Sequence, residues 1–265
     1  MSDPSTMPAS LGSRRWNRVP EITLYFWIIK ILCTTVGETA ADYLIGTVGL
    51  GITKTMWIMV AVLIVALGVQ FSRHRYVPGP YWVAVVLISV VGTLITDNLT
   101  DNLSVSLWTS TIGFSIALVA TFIGWYASEG TLSIHTVYTT RREAFYWLAV
   151  LFTFALGTAG GDLIAEDGGV GFGRAALLFA GLIALVYIAH RFLKLGPIVS
   201  FWIAYILTRP LGASVGDLLS QDTADGGLGL GTTITSVIFL ATILALVGYL
   251  TITKIDRTER IASGE

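Results

Sequence analysis

Apolar residues along the chain gather into eight long runs, roughly 22–44, 55–72, 80–100, 107–127, 144–165, 173–193, 198–219 and 232–253. Each is near the ~20 residues that a helix needs to cross a bilayer. Backbone groups in lipid must be satisfied within the segment, so each run predicts a helix rather than an open strand. Pro20, Pro78, Pro80 and Pro197 stand just before odd-numbered runs, where a missing N–H costs little. The pattern predicts an all-α membrane protein of eight transmembrane helices, spanning residues 21–253 between polar tails at 1–20 and 254–265.

Superposing the runs exposes an internal repeat. The segments at 27–42, 82–97, 147–162 and 202–217 all read W-x9-G-x4-D. Their tryptophans are Trp27, Trp82, Trp147 and Trp202; their glycines are Gly37, Gly92, Gly157 and Gly212; their aspartates are Asp42, Asp97, Asp162 and Asp217. The intervals between repeats are 55, 65 and 55 residues, so the repeats cover about 21–76, 77–127, 143–194 and 197–253. Each holds two helices, so all four enter the membrane from the same side and are parallel, related by an axis along the membrane normal. A pseudo-fourfold ring of the first helices is the simplest packing; two plus two is the other.

Carried by these four W-x9-G-x4-D segments, the chain resembles a family of bacterial membrane proteins built from four tandem copies of a repeat of unknown function. Each copy in that family has two transmembrane segments and a tryptophan. The resemblance covers about residues 20–253 and implies the fold but little about activity.

Composition agrees with the membrane reading. The chain is 54% hydrophobic and only 12% charged, where a soluble domain carries about 25% charged residues. The charge is segregated. Twelve basic residues (Arg14, Arg15, Arg18, Arg73, Arg75, Arg141, Arg142, Arg191, Lys194, Lys254, Arg257 and Arg260) lie in the tails and the even-to-odd connections. The opposite connections hold Lys54 and Arg174. The positive-inside rule places both termini in the cytoplasm of a multi-pass cell-membrane protein. His74, His135 and His190 lie in the same cytoplasmic connections, scattered as solvated residues rather than ligands. Cys33, the one cysteine, reads as a small buried hydrophobe.

The aspartates carry the candidate chemistry. Asp42 lies fifteen residues beyond Trp27, about 22 Å along a helix at ~1.5 Å per residue. Glu38 sits one turn earlier on the same face. That face carries Thr93, Asp97 and Asp101 in repeat 2, and Thr158, Asp162 and Glu166 in repeat 3. In repeat 4 it carries Arg209, Ala213, Asp217 and Gln221. Intramembrane acids are costly against lipid and are expected to face one another or a water-filled cavity. They stand at helix C-terminal ends, where the dipole opposes a carboxylate. Protons or bound cations relieve that conflict. The outer side carries ten acids against two bases, a field that gathers cations; Asp167, Asp222 and Asp225 read as ordinary loop acids.

Two features break the symmetry or accompany it. Arg209, opposite Thr34, Ser89 and Phe154 in the other repeats, needs a partner, and Glu38 is the candidate. The pair is either a structural salt bridge or a gate. Pro210 should kink its helix, and Lys30 is expected to snorkel toward the cytoplasmic end. The repeat glycines fit close helix packing. The tryptophans fit packing or interface anchoring. The pairs Gly49/Gly51, Gly171/Gly173 and Gly229/Gly231 are turn devices.

The expectation is a non-enzymatic transporter or channel for small cations. Glu38, Asp42, Asp97, Asp101, Asp162, Glu166 and Asp217 form the ion-binding set, with Arg209 as gating or pairing residue. Oxygen-only ligands suit hard divalent ions, with Glu38, Asp42, Asp97, Asp162 and Asp217 as the metal-ligand set. No ATP-binding loop is present, so active transport would draw on an ion gradient. No resident cofactor is implied, only a divalent cation as substrate. The expected partners are the lipid bilayer and a small cation, with no nucleic acid. Alternatives are a non-transporting sensor or assembly protein with a structural polar core, or an intramembrane aspartyl protease. Against the protease, Ala159 and Ser214 occupy the place of the first glycine in the G-x-G-D element.

Overall fold

The computed structural model describes residues 16–257, apart from the side chains of Glu166 and Asp167. Arg14, Arg15 and Arg260 lie outside the described residues, as do residues 1–15 and 258–265 of the two expected tails. Among the described residues eight helices are long and apolar enough to cross a membrane. They are α1 (Leu24–Asp42), α2 (Ile52–Phe71), α3 (Pro78–Asp97), α4 (Leu107–Glu129), α5 (Thr140–Asp162), α6 (Phe172–Phe192), α7 (Pro197–Ser220) and α8 (Thr232–Thr253).

The odd helices form a closed ring in which α1 packs on α3, α3 on α5, α5 on α7 and α7 on α1. The even helices lie outside, presenting side chains such as Trp57, Ile64, Leu177, Leu185 and Ile252 outward. This is the ring alternative, not two plus two. The packing pairs are offset from the sequence repeat. Each second helix leaves its own first helix and packs on that of the next repeat: α2 on α3, α4 on α5, α6 on α7, and α8 back on α1. The last pairing joins the two ends of the chain and closes the circle.

The contacts between ring neighbours repeat with the same rule. A Cβ built on Gly37 would collide with Ser89, and one on Gly212 with Thr34. A Cβ on Gly92 would lie 2.8 Å from Phe154 Cβ, and one on Gly157 2.5 Å from Arg209 Cβ and Cγ. Each glycine therefore receives the side chain three residues ahead of the next repeat's glycine. Lipid gives no hydrophobic drive for helix association, so close approach and interhelical hydrogen bonds must supply it. Thr34 Oγ1 donates to Thr208 O at 3.2 Å, Thr35 Oγ1 to Gly212 O at 3.1 Å and Thr96 Oγ1 to Ala155 O at 3.3 Å.

At the end of the ring nearer the chain termini, each repeat tryptophan packs on the aromatic residue of the repeat before it. Ring centroids are 5.7 Å apart for Phe26–Trp82, 5.3 Å for Tyr81–Trp147, 6.3 Å for Tyr146–Trp202 and 5.7 Å for Phe201–Trp27. Trp82, Trp147 and Trp202 are buried and Trp27 half-buried, so the tryptophans pack the core rather than anchor an interface. The aromatic residue preceding each tryptophan was readable in the sequence as a fourth fixed position.

The chain leaves α1, α3 and α5 through matching five-residue π-helical turns at Tyr43–Thr47, Asn98–Asn102 and Leu163–Asp167; α7 instead leads to a 3-10 turn at Thr223–Asp225. The turn glycines before α6 are Gly169 and Gly171, with φ 62° and 78°; Gly173, expected in this role, lies inside α6. Ser104, at the repeat-2 position of Gly49, takes φ 53°. α7 runs unbroken through Pro210.

Residues 16–20, expected as part of a tail, are built into the fold. Tyr76 N donates to Asn17 O at 2.9 Å, Arg18 N to Val137 O at 3.0 Å and Glu21 N to Asp256 O at 3.1 Å. Arg18 is buried against Glu143 at 2.7 Å. Asp256, assigned to the C-terminal tail, is buried as well.

Candidate cation chamber

Successive turns of the four ring helices stack equivalent residues into layers. Asp42, Asp97 and Asp162 are the last residues of α1, α3 and α5, and Asp217 lies within the final turn of α7. At that end of the ring a cavity of about 750 Å³ opens. Glu38, Asp42, Asp97, Asp101, Asp162 and Asp217 all line it, with Thr100, Ser104, Ser106, Gln221 and Thr232 but, among the described residues, no lysine or arginine. One acid from each repeat therefore reaches one space, with Glu38 and Asp101 in addition. Gln221 Nε2 lies 3.4 Å from Asp42 Oδ2, and Thr100 Oγ1 donates to Asp101 Oδ1 at 3.1 Å. Asp217 is only 8% exposed. Glu166 belongs to the candidate set but its side chain lies outside the described residues. Asp222 and Asp225 are exposed and do not line the cavity.

The expected metal-ligand set does not close on an ion. Among the described residues no three acid, histidine or cysteine side chains are close enough to hold one metal ion. The reason is geometric. Four aspartates stand on four different helices around a wide opening, and Glu38 is drawn away to a cation beneath.

That cation is Arg209. It is fully buried, and its Nη2 donates to Glu38 Oε2 at 2.6 Å and to Thr93 Oγ1. The expected Arg209–Glu38 pair is thus present. Arg209 touches all three other ring helices: α1 through Glu38, α3 through Thr93 and α5 through Gly157. Only a side chain at the ring centre can do that. Its Nε and Nη1 have no hydrogen-bond partner among the described residues.

Lys30 corrects the snorkelling expectation. It is 1% exposed, and its Nζ lies 3.8 Å from the Phe154 ring centroid and 4.3 Å from that of Tyr205. Phe154 is on α5, across the ring from α1, so Lys30 also occupies the centre. The two aromatic faces enclose the amine, and Nζ has no hydrogen-bond partner among the described residues. The side chains of Arg209 and Lys30 and the aromatic layer therefore fill the axis beneath the acid-lined cavity.

Sequence reasoning missed the polar contacts at the other end. The Glu143 carboxylate, fully buried, accepts from Arg18 at 2.7 Å, Gln70 Nε2 at 2.9 Å and Trp147 Nε1 at 3.4 Å. Tyr76 Oη donates to Asp256 Oδ2 at 2.6 Å. Burial and the neighbouring Asp256 charge push the Tyr76 phenol up. Burial also raises the Asp256 carboxyl, partly offset by the Tyr76 hydrogen bond. Lone acids beside helix ends look like solvated loop residues in sequence, and nothing local marks these as buried. The histidines lie away from the acid cavity: His135 is 3.1 Å from Glu21, and His190 Nδ1 bonds Leu195 O at 2.8 Å. Cys33 is buried and free.

The model of the Repeat of Unknown Function (DUF347) matches the chain four times, at residues 25–76, 80–131, 145–194 and 200–256. No curated protein and no solved structure matches it.

Proposed function

Since this chain belongs to the DUF347 repeat family, whose description carries no activity, we propose from its own geometry that it transports small cations, with the acid-lined cavity as its binding chamber. The observation that supports this is the meeting of Asp42, Asp97, Asp162 and Asp217, one from each repeat, in one cavity that no basic side chain among the described residues lines. Such a space concentrates cations by its field alone. Carboxylates spread around a wide cavity suit a hard ion that keeps part of its water shell, as Mg²⁺ does. The positive-inside distribution argues that the chamber faces outward and both termini face the cytoplasm. In this reading the sealed axis is one state of a carrier rather than an open channel. A cation in the chamber competes with Arg209 for Glu38, and loss of that contact frees the central arginine to move.

The test is flux into proteoliposomes containing the full chain, with Mg²⁺, Ca²⁺ and Mn²⁺ offered in turn. Asp42→Asn, Asp97→Asn, Asp162→Asn and Asp217→Asn should each abolish cation-dependent flux. Unchanged flux in all four would reject the proposal. The two basic side chains that fill the axis, Arg209 and Lys30, also favour a second reading, a sensor that binds cations without passing them. Saturable cation binding with no flux, lost in the same four variants, would select it.

A further inference from the structure

The terminus end carries a hollow of opposite character. About 310 Å³ in volume, it is lined by Trp16, Asn17, Val19, Arg75, Tyr76, Lys254 and Arg257. Three chain segments far apart in sequence wall it: the segment before α1, the α2–α3 connection and the stretch after α8. They are fastened to one another by Tyr76 N to Asn17 O at 2.9 Å, Glu21 N to Asp256 O at 3.1 Å and Tyr76 Oη to Asp256 Oδ2 at 2.6 Å.

The neutral polar side chains at its wall are already committed. Asn17 Nδ2 donates to Ile134 O at 3.0 Å and Asn17 Oδ1 accepts from Val137 N at 3.2 Å. The Tyr76 hydroxyl is given to Asp256. What remains available to an occupant is cationic: Arg75, Lys254 and Arg257. Among the described residues none of the three is in an ion pair and no carboxylate lines the hollow. Asp256, the nearest acid in sequence, feels the charge of Arg257, but it is buried and its Oδ2 is bonded to Tyr76. Among the described residues the buried Arg257 Nε has no hydrogen-bond partner, an unfavourable state that an oxyanion would relieve. A second hollow of about 390 Å³ shares Trp16 and Arg75 and adds Arg73 and His74, extending the positive field.

The general excess of basic residues at this end accounts for positive charge but not for its arrangement. It does not explain a concavity braced by three segments, nor a buried N–H left without an acceptor. We propose that the hollow binds a phosphate-bearing anion. Arg75, Lys254 and Arg257 take the phosphate oxygens through charge-assisted hydrogen bonds, and Trp16 covers the remainder of the ligand. The phosphate belongs either to a membrane lipid headgroup or to a soluble compound; the recognising chemistry is shared. This site is independent of the cation chamber and stands whether or not the protein transports.

The full chain is reconstituted in zwitterionic phosphatidylcholine nanodiscs and titrated calorimetrically with inorganic phosphate at constant ionic strength, chloride serving as the comparison. In parallel, protein purified from mixed phosphatidylcholine and phosphatidic acid is examined by native mass spectrometry for retained lipid. Binding of free phosphate assigns a soluble source. Retention of phosphatidic acid without a phosphate response assigns a lipid headgroup. Both outcomes support the site, provided that Arg75→Gln, Lys254→Gln and Arg257→Gln each weaken it by about tenfold, as the loss of one charged hydrogen bond predicts. Arg191→Gln/Lys194→Gln, at the same end but outside the hollow, should leave binding unchanged. Arg75→Lys keeps the charge and guards against misfolding; it should retain most binding. Neither phosphate nor lipid bound, or equal loss in the Arg191/Lys194 variant, would overturn the proposal.

Discussion

Replacing Glu38 with glutamine should cost more stability than removing the arginine it neutralises. Arg209 is 0% exposed, its Nη2 is held by Glu38 and Thr93, and its other two nitrogens have no partner among the described residues. Glu38→Gln keeps the shape but leaves a buried cation without its ion-pair partner. Breaking a buried pair from one side costs about 3–5 kcal/mol. Arg209→Thr is different. The equivalent knobs in repeats 1 and 2 are Thr34 and Ser89, so a small side chain fits the glycine surface. The released Glu38 carboxylate borders the acid-lined cavity, where water reaches it. The cost should be limited to lost packing, about 1–3 kcal/mol. The double variant should be more stable than Glu38→Gln alone, giving a favourable coupling that a double-mutant cycle measures. Reversible unfolding by SDS in mixed micelles, followed by far-UV circular dichroism, reads all four proteins. If Glu38→Gln is no less stable than Arg209→Thr, or the two effects simply add, Glu38 does not neutralise the central arginine and the reasoning fails.

Three more outcomes follow from the packing and the terminus end. Gly157→Ala places a methyl 2.5 Å from Arg209 Cβ and Cγ and should destabilise by about 1–3 kcal/mol, whereas Gly46→Ala meets nothing within 4 Å and should be near neutral; thermal unfolding in detergent compares them. Trp82→Ala empties a buried position against Phe26 and should cost about 3–5 kcal/mol, while Trp57→Ala, on an outward face and 64% exposed, should change stability little in the same assay. Asp256 has its carboxyl raised by burial, so the folded state holds that proton more tightly than the unfolded state does. Stability from this group therefore rises as pH falls through the raised folded value toward the ordinary value of 3.8, and is lost as pH climbs back through the folded value. Protection factors at residues 16–21, with the intrinsic pH dependence of amide exchange divided out, should accordingly rise with acidification across that window in the native protein and lose this dependence in Asp256→Asn; an unchanged protection profile in the variant would exclude Asp256 as its source.

Legibility differed sharply between residues. Asp42, Asp97, Asp162 and Asp217 were readable as one layer because an identical spacing on parallel helices puts equivalent residues at equal depth. Glu38 and Arg209 were readable as partners because an intramembrane charge requires one. Lys30 was misread because distance from a helix end suggests snorkelling, and the aromatic faces that hold it, Phe154 and Tyr205, come from two other repeats. Glu143 and Asp256 gave no signal, since their burial is created by Arg18, Gln70 and Tyr76, residues distant along the chain.

The sequence alone determined the eight spans, the fourfold repeat and the depth of each polar layer. These follow from local requirements: lipid demands satisfied backbone, and helical periodicity turns spacing into position. Only the tertiary structure decided which surfaces meet. It paired each second helix with the following repeat, brought two basic side chains to the ring centre and spread the carboxylates around a cavity. The physical reason is that a helix face declares its apolarity and its size in sequence, but not its partner. Partners are selected by fit between residues far apart in the chain, such as Gly157 with Arg209 and Gly212 with Thr34.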